Sequence, residues 1–273
     1  MRIGVDLGGT NIRAGIIDRN AIIKKLSEPC KAEMPEQAVL GQLKEIISAL
    51  MPPGVESIGI GVPSVVDAER GIVYNVANIP SWKEIPLKSI LEEAFQIPVM
   101  VNNDCNCFAL GEYHFGLHRQ YRNIVCITLG TGVGAGIIID GKLYAGNNTG
   151  AGEIGSLPYL RHDYEYYCSS RFFLHEHGIT GKDAYERTCA GDRSLLPLWN
   201  EIGNHLGALM KAILYTYDPE AIVMGGSISN AFRFFSAKMY ESLQSFPYPA
   251  TIERIKIMVS KDEDSALLGA AAL

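Results

Sequence analysis

The sequence predicts an α/β protein built from two related domains, and three observations lead to that reading. Short apolar strands alternate with stretches of helical periodicity along the chain. The stretch from Leu7 to Asp18 has a near-copy at Leu129 to Asp140. Glycine-bare turns stand at the ends of three separate strands.

The elements follow in order. Ile3 to Leu7 is short and apolar, Gly8-Gly9-Thr10-Asn11 turns the chain, and Ile12 to Asp18 runs back. After the Arg19-Asn20 turn comes a third strand, Ala21 to Leu26. Met34 to Leu50 carries Ala38, Leu40, Leu43, Ile46, Ile47 and Leu50 at helical spacing and stops before Pro52-Pro53. Ser57 to Val62 is a strand closed by Pro63, Leu87 to Phe95 a helix, Val99 to Val101 a strand, and Asn103 to Tyr113 another helix. The second strand–turn–strand unit leads to a short strand through Tyr144 and a glycine-rich stretch, Gly146 to Gly155. Helices are expected at Ser169 to His177, Gly181 to Ala190 and about Leu195 to Tyr217, the last ended by Asp218-Pro219. Ala221 to Met224 is a buried strand delivering Gly225-Gly226-Ser227. Ile255 to Val259 is the last strand, and Ala266 to Leu273 a short apolar helix.

LGGTNIRAGIID and LGTGVGAGIIID align without gaps, with identities at Leu7/Leu129, Gly8/Gly130, Ile16/Ile138, Ile17/Ile139 and Asp18/Asp140. Two unrelated hairpins with glycine turns would look alike. A duplicated domain would instead set the two turns facing each other across a cleft, on one ligand. The expected division is 1–116, completed by the C-terminal helix at about 262–273, and 117–261, with the junction near Phe115 to Tyr121.

Composition narrows the function classes. The 273 residues suffice for two modest domains or one large one, and 47% hydrophobic with 20% charged is ordinary for a soluble globular protein. A net charge of −6 and the lack of a Lys/Arg run argue against a nucleic-acid surface. Six scattered Cys fit reduced thiols better than a disulfide framework. Met1 leads directly into the first strand, and no apolar run approaches the roughly 18 residues of a membrane span. The expectation is a cytoplasmic protein without membrane or nucleic-acid partners.

The turns carry the candidate chemistry. Glycines in Asp6-Leu7-Gly8-Gly9-Thr10 let backbone N–H groups approach an anion, and Thr10 adds a hydroxyl. Asp6, at the strand end, suits a hydrated Mg²⁺, which prefers one or two carboxylates plus phosphate oxygens and waters. Gly130-Thr131-Gly132-Val133-Gly134 offers the same chemistry again, and Gly225-Gly226-Ser227 leaves bare backbone for a base or ribose. One Gly-Gly-Thr turn alone is equally consistent with a plain hairpin. None of the three is a Walker A loop or a dinucleotide fingerprint, and together they suit a nucleotide. Asp104, in Val101-Asn102-Asn103-Asp104, sits where a strand becomes a helix. It reads either as a helix cap or as the carboxylate that accepts an acceptor hydroxyl's proton, with Asn103 on a neighbouring hydroxyl.

Five segments resemble the ROK family of sugar kinases and sugar-responsive repressors: Asp6 to Arg13, Asn103 to Glu112, Gly130 to Gly134, Gly152-Glu-Ile-Gly155 and Leu268-Gly-Ala-Ala271. The resemblance covers essentially the whole chain. It implies an actin-like (ribonuclease H-like) duplicated fold with a nucleotide/sugar cleft, using ATP and Mg²⁺ to phosphorylate a hexose or amino sugar. It further implies Asp104 as base, with Gly8, Gly9, Thr10, Asn11, Gly130, Thr131 and Gly132 on the phosphates. Gly225, Gly226 and Ser227 fall on the adenosine side, and Asp6 on Mg²⁺. Asn103, Glu153, Glu165 and, as a weaker match, Asn78 fall on the sugar. A homodimer is the family expectation.

Two departures matter. Ser156 stands where the family commonly has a sugar-contacting, zinc-ligating His, and the Cys-rich loop that goes with it is missing, so no structural zinc is expected. Ser64 stands where the family often has Gly; both serines remain at sugar-side positions. His162 reads as an exposed loop residue, and Cys105 and Cys107 as buried helix residues pointing to opposite sides. Two other readings are a repressor, for which a hairpin starting at Met1 leaves no room for a DNA-binding motif, and a catalytically weak sugar binder. Retention of Asp6, Asp104 and both phosphate turns argues against the binder.

Overall fold

The computed structural model describes every residue except Leu117, Asn148 and Thr149. The chain opens with β1 (Arg2–Leu7), β2 (Asn11–Asp18) and β3 (Ala21–Pro29), paired antiparallel in succession. Arg19 and Asn20 both take positive φ, as a two-residue turn matched to right-handed strand twist requires. Next come α1 (Glu36–Ser48), β4 (Ser57–Val62), β5 (Val65–Asp67), β6 (Ile72–Tyr74), β7 (Glu84–Ile85), α2 (Leu87–Phe95), β8 (Val99–Asn103) and α3 (Asp104–His114). The second half supplies β9 (Ile124–Leu129), β10 (Val133–Ile139), β11 (Lys142–Leu143), β12 (Pro158–Tyr159), β13 (His162–Asp163), α4 (Tyr164–Cys168), α5 (Ser170–His177), α6 (Gly181–Cys189) and α7 (Leu196–Tyr217). It ends with β14 (Ala221–Gly225), α8 (Phe232–Leu243), α9 (Pro249–Arg254), β15 (Lys256–Val259) and α10 (Ser265–Ala270).

Two five-stranded sheets run β3-β2-β1-β4-β8 and β11-β10-β9-β14-β15. In the first, β1 pairs antiparallel with β2 and parallel with β4; in the second, β9 lies between β10 and β14 and pairs parallel with β14, so the strand order is the same in both. The near-copy read from the sequence is a duplication of topology. It extends to the turns, since β1 and β9 end at the aligned Leu7 and Leu129 while β2 and β10 begin at the aligned Asn11 and Val133.

The chain forms two compact units. One is Met1–Gln120 with Gly136–Ala151 and Asp262–Leu273, and the other is Tyr121–Ala135 with Gly152–Lys261. Within the first, the period-2 pattern of each strand sorts side chains to two faces. Ile3, Val5, Leu7, Ile12, Ala14, Ile58, Ile60 and Val62 build one core with Val39, Leu43 and Ile47 of α1. The other face is bared by glycine so that α10 and α3 lie against backbone. An added Cβ at Gly4 would stand 2.2 Å from the Leu267 carbonyl oxygen, and one at Gly59 1.7 Å from that of Ala270. The two helices meet as closely, with a Cβ on Gly269 falling 1.7 Å from the Cys107 carbonyl oxygen. In the second unit α7 packs along α8 and buries Leu198, Trp199, Ile202, Leu206, Leu209, Met210 and Ile213.

The three-stranded sheet β5-β6-β7, the β12–β13 hairpin, α4, α8 and α9 lie outside the sequence reading. Strands of two or three residues are too short to display a period. Glu165 thus sits in the first turn of a short helix capped by Asp163, whose carboxylate accepts the Tyr166 N–H. No helix among the described residues is long and apolar enough to cross a membrane.

Candidate active site

In the first unit, Asp6 is the last polar residue of β1 on the face that carries α10 and α3, and Asp104 is the first residue of α3. The helix cap is Asn103, not Asp104: its Oδ1 accepts the N–H of Cys105 (2.8 Å) and of Asn106 (3.2 Å). Its Nδ2 donates to the Ser64 carbonyl at 3.1 Å. The amide expected on a sugar hydroxyl therefore has one N–H left to offer. The Ser64 hydroxyl donates to the Tyr74 carbonyl and is likewise engaged.

Asp104 accepts the Cys105 N–H at 2.8 Å through Oδ1. Burial first, and the nearby charge of Asp6 second, push its carboxyl up to about 6 from 3.8, against the lowering effect of that hydrogen bond. The same burial, with both carboxylates behind it, pushes the Cys107 thiol up, so this cysteine stays protonated as a small apolar residue. Asp6 gives Oδ2 to Arg13, whose Nε lies 3.0 Å away, leaving Oδ1 for another partner. Asp6 and Asp104 together form an oxygen-donor site of excess negative charge. That fits Mg²⁺, a hard cation satisfied by one or two carboxylates.

The first glycine turn closes on itself, because the Gly8 N–H donates to the Asn11 carbonyl at 2.9 Å. The second does the same, with the Gly130 N–H on the Gly132 carbonyl at 3.0 Å. Gly8 and Gly130 therefore supply clearance, not donors, and the N–H groups left for an anion are those of Gly9 and Thr10, and of Thr131 and Gly132. Asn11 is exposed at the start of β2.

Each turn also meets a residue read as sugar-side. Asn78 leans on Gly9, where an added Cβ would stand 2.4 Å from the Asn78 Cβ. In the second unit the Glu165 carboxylate lies over Gly132, with Oε2 accepting the Val133 N–H at 3.1 Å and Oε1 paired to Arg171 at 3.0 Å. Gly152 and Gly155 press onto β10, where a Cβ would reach 2.0 Å from the Ala135 carbonyl oxygen and 2.2 Å from that of Val133. This holds Glu153 between them, and partial desolvation followed by the charge of Glu165 raises its carboxyl. Ser156 is exposed, its N–H on the Glu153 carbonyl at 3.2 Å. Gly225 ends β14, and Gly226, at φ 84° and ψ 168°, occupies backbone open only to glycine. A Cβ there would fall 2.4 Å from the Leu129 carbonyl oxygen, so this turn, with Ser227 exposed after it, lies beside the second one.

Arg13 and Arg171 were missed by sequence reasoning. The strand register that puts Arg13 opposite Asp6 was available in the hairpin, and nothing in the sequence marks Arg171. His162 is exposed and stacks on Tyr166 at 4.0 Å, while Cys105 and Cys107 are buried. Among the described residues no group of three His, Cys, Asp or Glu could hold a metal ion.

A sequence profile of the ROK family matches residues 2–273. A glucokinase from Thermotoga maritima is 28% identical over 305 residues, covering 99% of this chain and 96% of the relative. A xylose repressor from Caldicellulosiruptor bescii is 29% identical over 81% of this chain and 63% of its own length. The crystal structure of a ROK family glucokinase from Streptomyces griseus, in complex with glucose and AMPPNP, matches with a TM-score of 0.84. It is 27% identical, over 99% of this chain and 98% of that one. The fold is the actin-like, ribonuclease H-like duplicated fold. With a profile match along the entire sequence and these relatives at near-full coverage, the chain belongs to the ROK family.

Proposed function

We propose that the chain is a cytoplasmic, ATP-dependent sugar kinase that phosphorylates a hydroxyl of a hexose or amino sugar, with Asp104 as general base. The observation behind this reading is the state of Asp104: a buried carboxyl at the start of α3, beside Asp6, with its proton affinity pushed up to about 6. Such a group is mostly ionised at pH 7 yet basic enough to take a proton in the transition state, an effect on the order of 10²–10⁴ in rate. The sugar-kinase relatives support the reaction class.

ATP is the phosphoryl donor, and a bound Mg²⁺ would offset the charge on its phosphate oxygens. Gly9, Thr10, Thr131 and Gly132 offer N–H and hydroxyl donors to phosphate oxygens, with Gly225, Gly226 and Ser227 toward the adenosine. Asp6 would hold the hydrated cation, with the oxygen that Arg13 leaves open available to it. Asn78, the remaining N–H of Asn103, Glu153, Glu165 and Ser156 orient the sugar, with Ser64 supporting Asn103. Asp104 receives the hydroxyl proton. A homodimer, expected from the resemblance, is checked by light scattering.

The test is ADP release by purified protein with Mg-ATP over a panel of hexoses, hexosamines and N-acetylhexosamines, with Asp104→Asn alongside. Turnover of one sugar, reduced at least a hundredfold in the variant while sugar affinity holds, supports the reading. Near-normal turnover by the variant removes Asp104 from the base role. The repressor relative favours a second reading, a sugar-responsive or catalytically weak binder. Calorimetric binding of a sugar that gives no ADP release would move the assignment there.

A further inference from the structure

Arg13 on β2 stands directly opposite Asp6 on β1. Its guanidinium uses all three nitrogens. Nε and Nη2 donate to Asp6 Oδ2, while Nη1 donates to the Glu263 carbonyl at 2.8 Å and lies 3.7 Å from Asp264 Oδ1. Asp264 is held from its other side by Lys25 at 2.7 Å and immediately precedes α10. At the head of α10, Ser265 donates to Glu112, a buried carboxylate of α3. One side chain thus joins three things: the strand bearing Asp6, the segment where the chain re-enters this unit at Asp262, and, through α10, the helix that begins with Asp104.

Ion pairs of this exposure, 30% for the Arg13 side chain and 17% for Asp6, contribute little to stability. What a planar three-pronged fork supplies is direction, which an ammonium on a flexible stem does not. We propose that Arg13 is a positioning residue of the phosphoryl-transfer site, fixing the Asp6 carboxylate and tying it to the Glu263–Asp264 segment. The inference rests on the kinase reading above.

The experiment compares wild type, Arg13→Lys, Asp264→Asn and the double variant by steady-state kinetics on the accepted sugar. Sugar affinity without nucleotide is measured by calorimetry, and folding by circular dichroism and thermal melting. The expected result for Arg13→Lys is a kcat lowered at least tenfold, with sugar KM and calorimetric Kd within about twofold. Asp264→Asn lowers kcat less, and the double variant is no worse than Arg13→Lys alone, because both cut one tie. Folded Arg13→Lys with wild-type kcat, a loss confined to melting temperature or to KM, or fully additive kcat effects each overturn the proposal. Should Arg13→Lys not fold, Asp264→Asn alone decides, and an unchanged kcat overturns it. Absence of turnover in wild type removes the kinase reading and this inference together; turnover indifferent to the variants removes this inference only.

Discussion

Replacing Asp104 by Asn is expected to stabilise the protein while disabling it, and the stabilisation should follow pH. In the folded chain the carboxyl titrates near 6 against an ordinary 3.8, because burial and the Asp6 charge both disfavour its ionised form. Between these values the folded state holds a proton that the unfolded state has released, so stability falls as pH rises through the window. About 2 units at 1.36 kcal/mol each give an upper bound of about 3 kcal/mol of destabilisation once the group is ionised in both states. Asn keeps the shape and an acceptor for the Cys105 N–H but carries no charge. At pH 8 the variant should therefore melt several degrees above wild type. By the same linkage, roughly half of the difference survives at pH 5 and roughly a fifth at pH 4. The assay is a thermal melt of both proteins across pH 4 to 8, with ADP release measured in parallel. A pH-independent difference, or a variant less stable than wild type at pH 8, would refute the argument that Asp104 is held ionised at a cost.

Four further outcomes are expected. With Asp104 as the proposed base, kcat should lose about tenfold per unit below pH 6 and level off above 7, and a profile flat down to pH 5 would exclude a base of that affinity. A Cβ added at Gly130 meets nothing within 4 Å, so Gly130→Ala should melt like wild type yet raise the KM for ATP at least tenfold; an unchanged KM removes the second turn from the phosphates. Gly269→Ala, whose Cβ lands on the Cys107 carbonyl oxygen, should cost about 1–3 kcal/mol or more by forcing α10 off α3. Gly41→Ala, in the middle of α1 with open space around it, should instead gain roughly 0.5–1 kcal/mol, and melts of the pair compare a steric cost with a helix-propensity gain.

The alternation of strands and helices, the duplicated hairpins and the three glycine turns were all legible in the residues alone. Each is written in contiguous residues, as a period of 2 or 3.6 or as a turn that only glycine allows. Asp6 came into consideration at the end of a strand and Asp104 where a strand becomes a helix, while Glu153 came through the resemblance to the ROK family. What those residues are free to do depends on contacts made only in the folded chain. Asn103 spends its carbonyl on capping α3 and Ser64 its hydroxyl on Tyr74, while Gly8 and Gly130 turn their N–H groups inward. Asp6 shares its carboxylate with Arg13, and Glu165 braces the Gly132 turn through Val133. A hydrogen bond is a pairing between positions set by register and packing, often far apart in the chain, and residue type alone does not say which partner will claim it. The rise of the Asp104 carboxyl has the same origin, since burial and the approach of Asp6 exist only once β1 and α3 lie against each other.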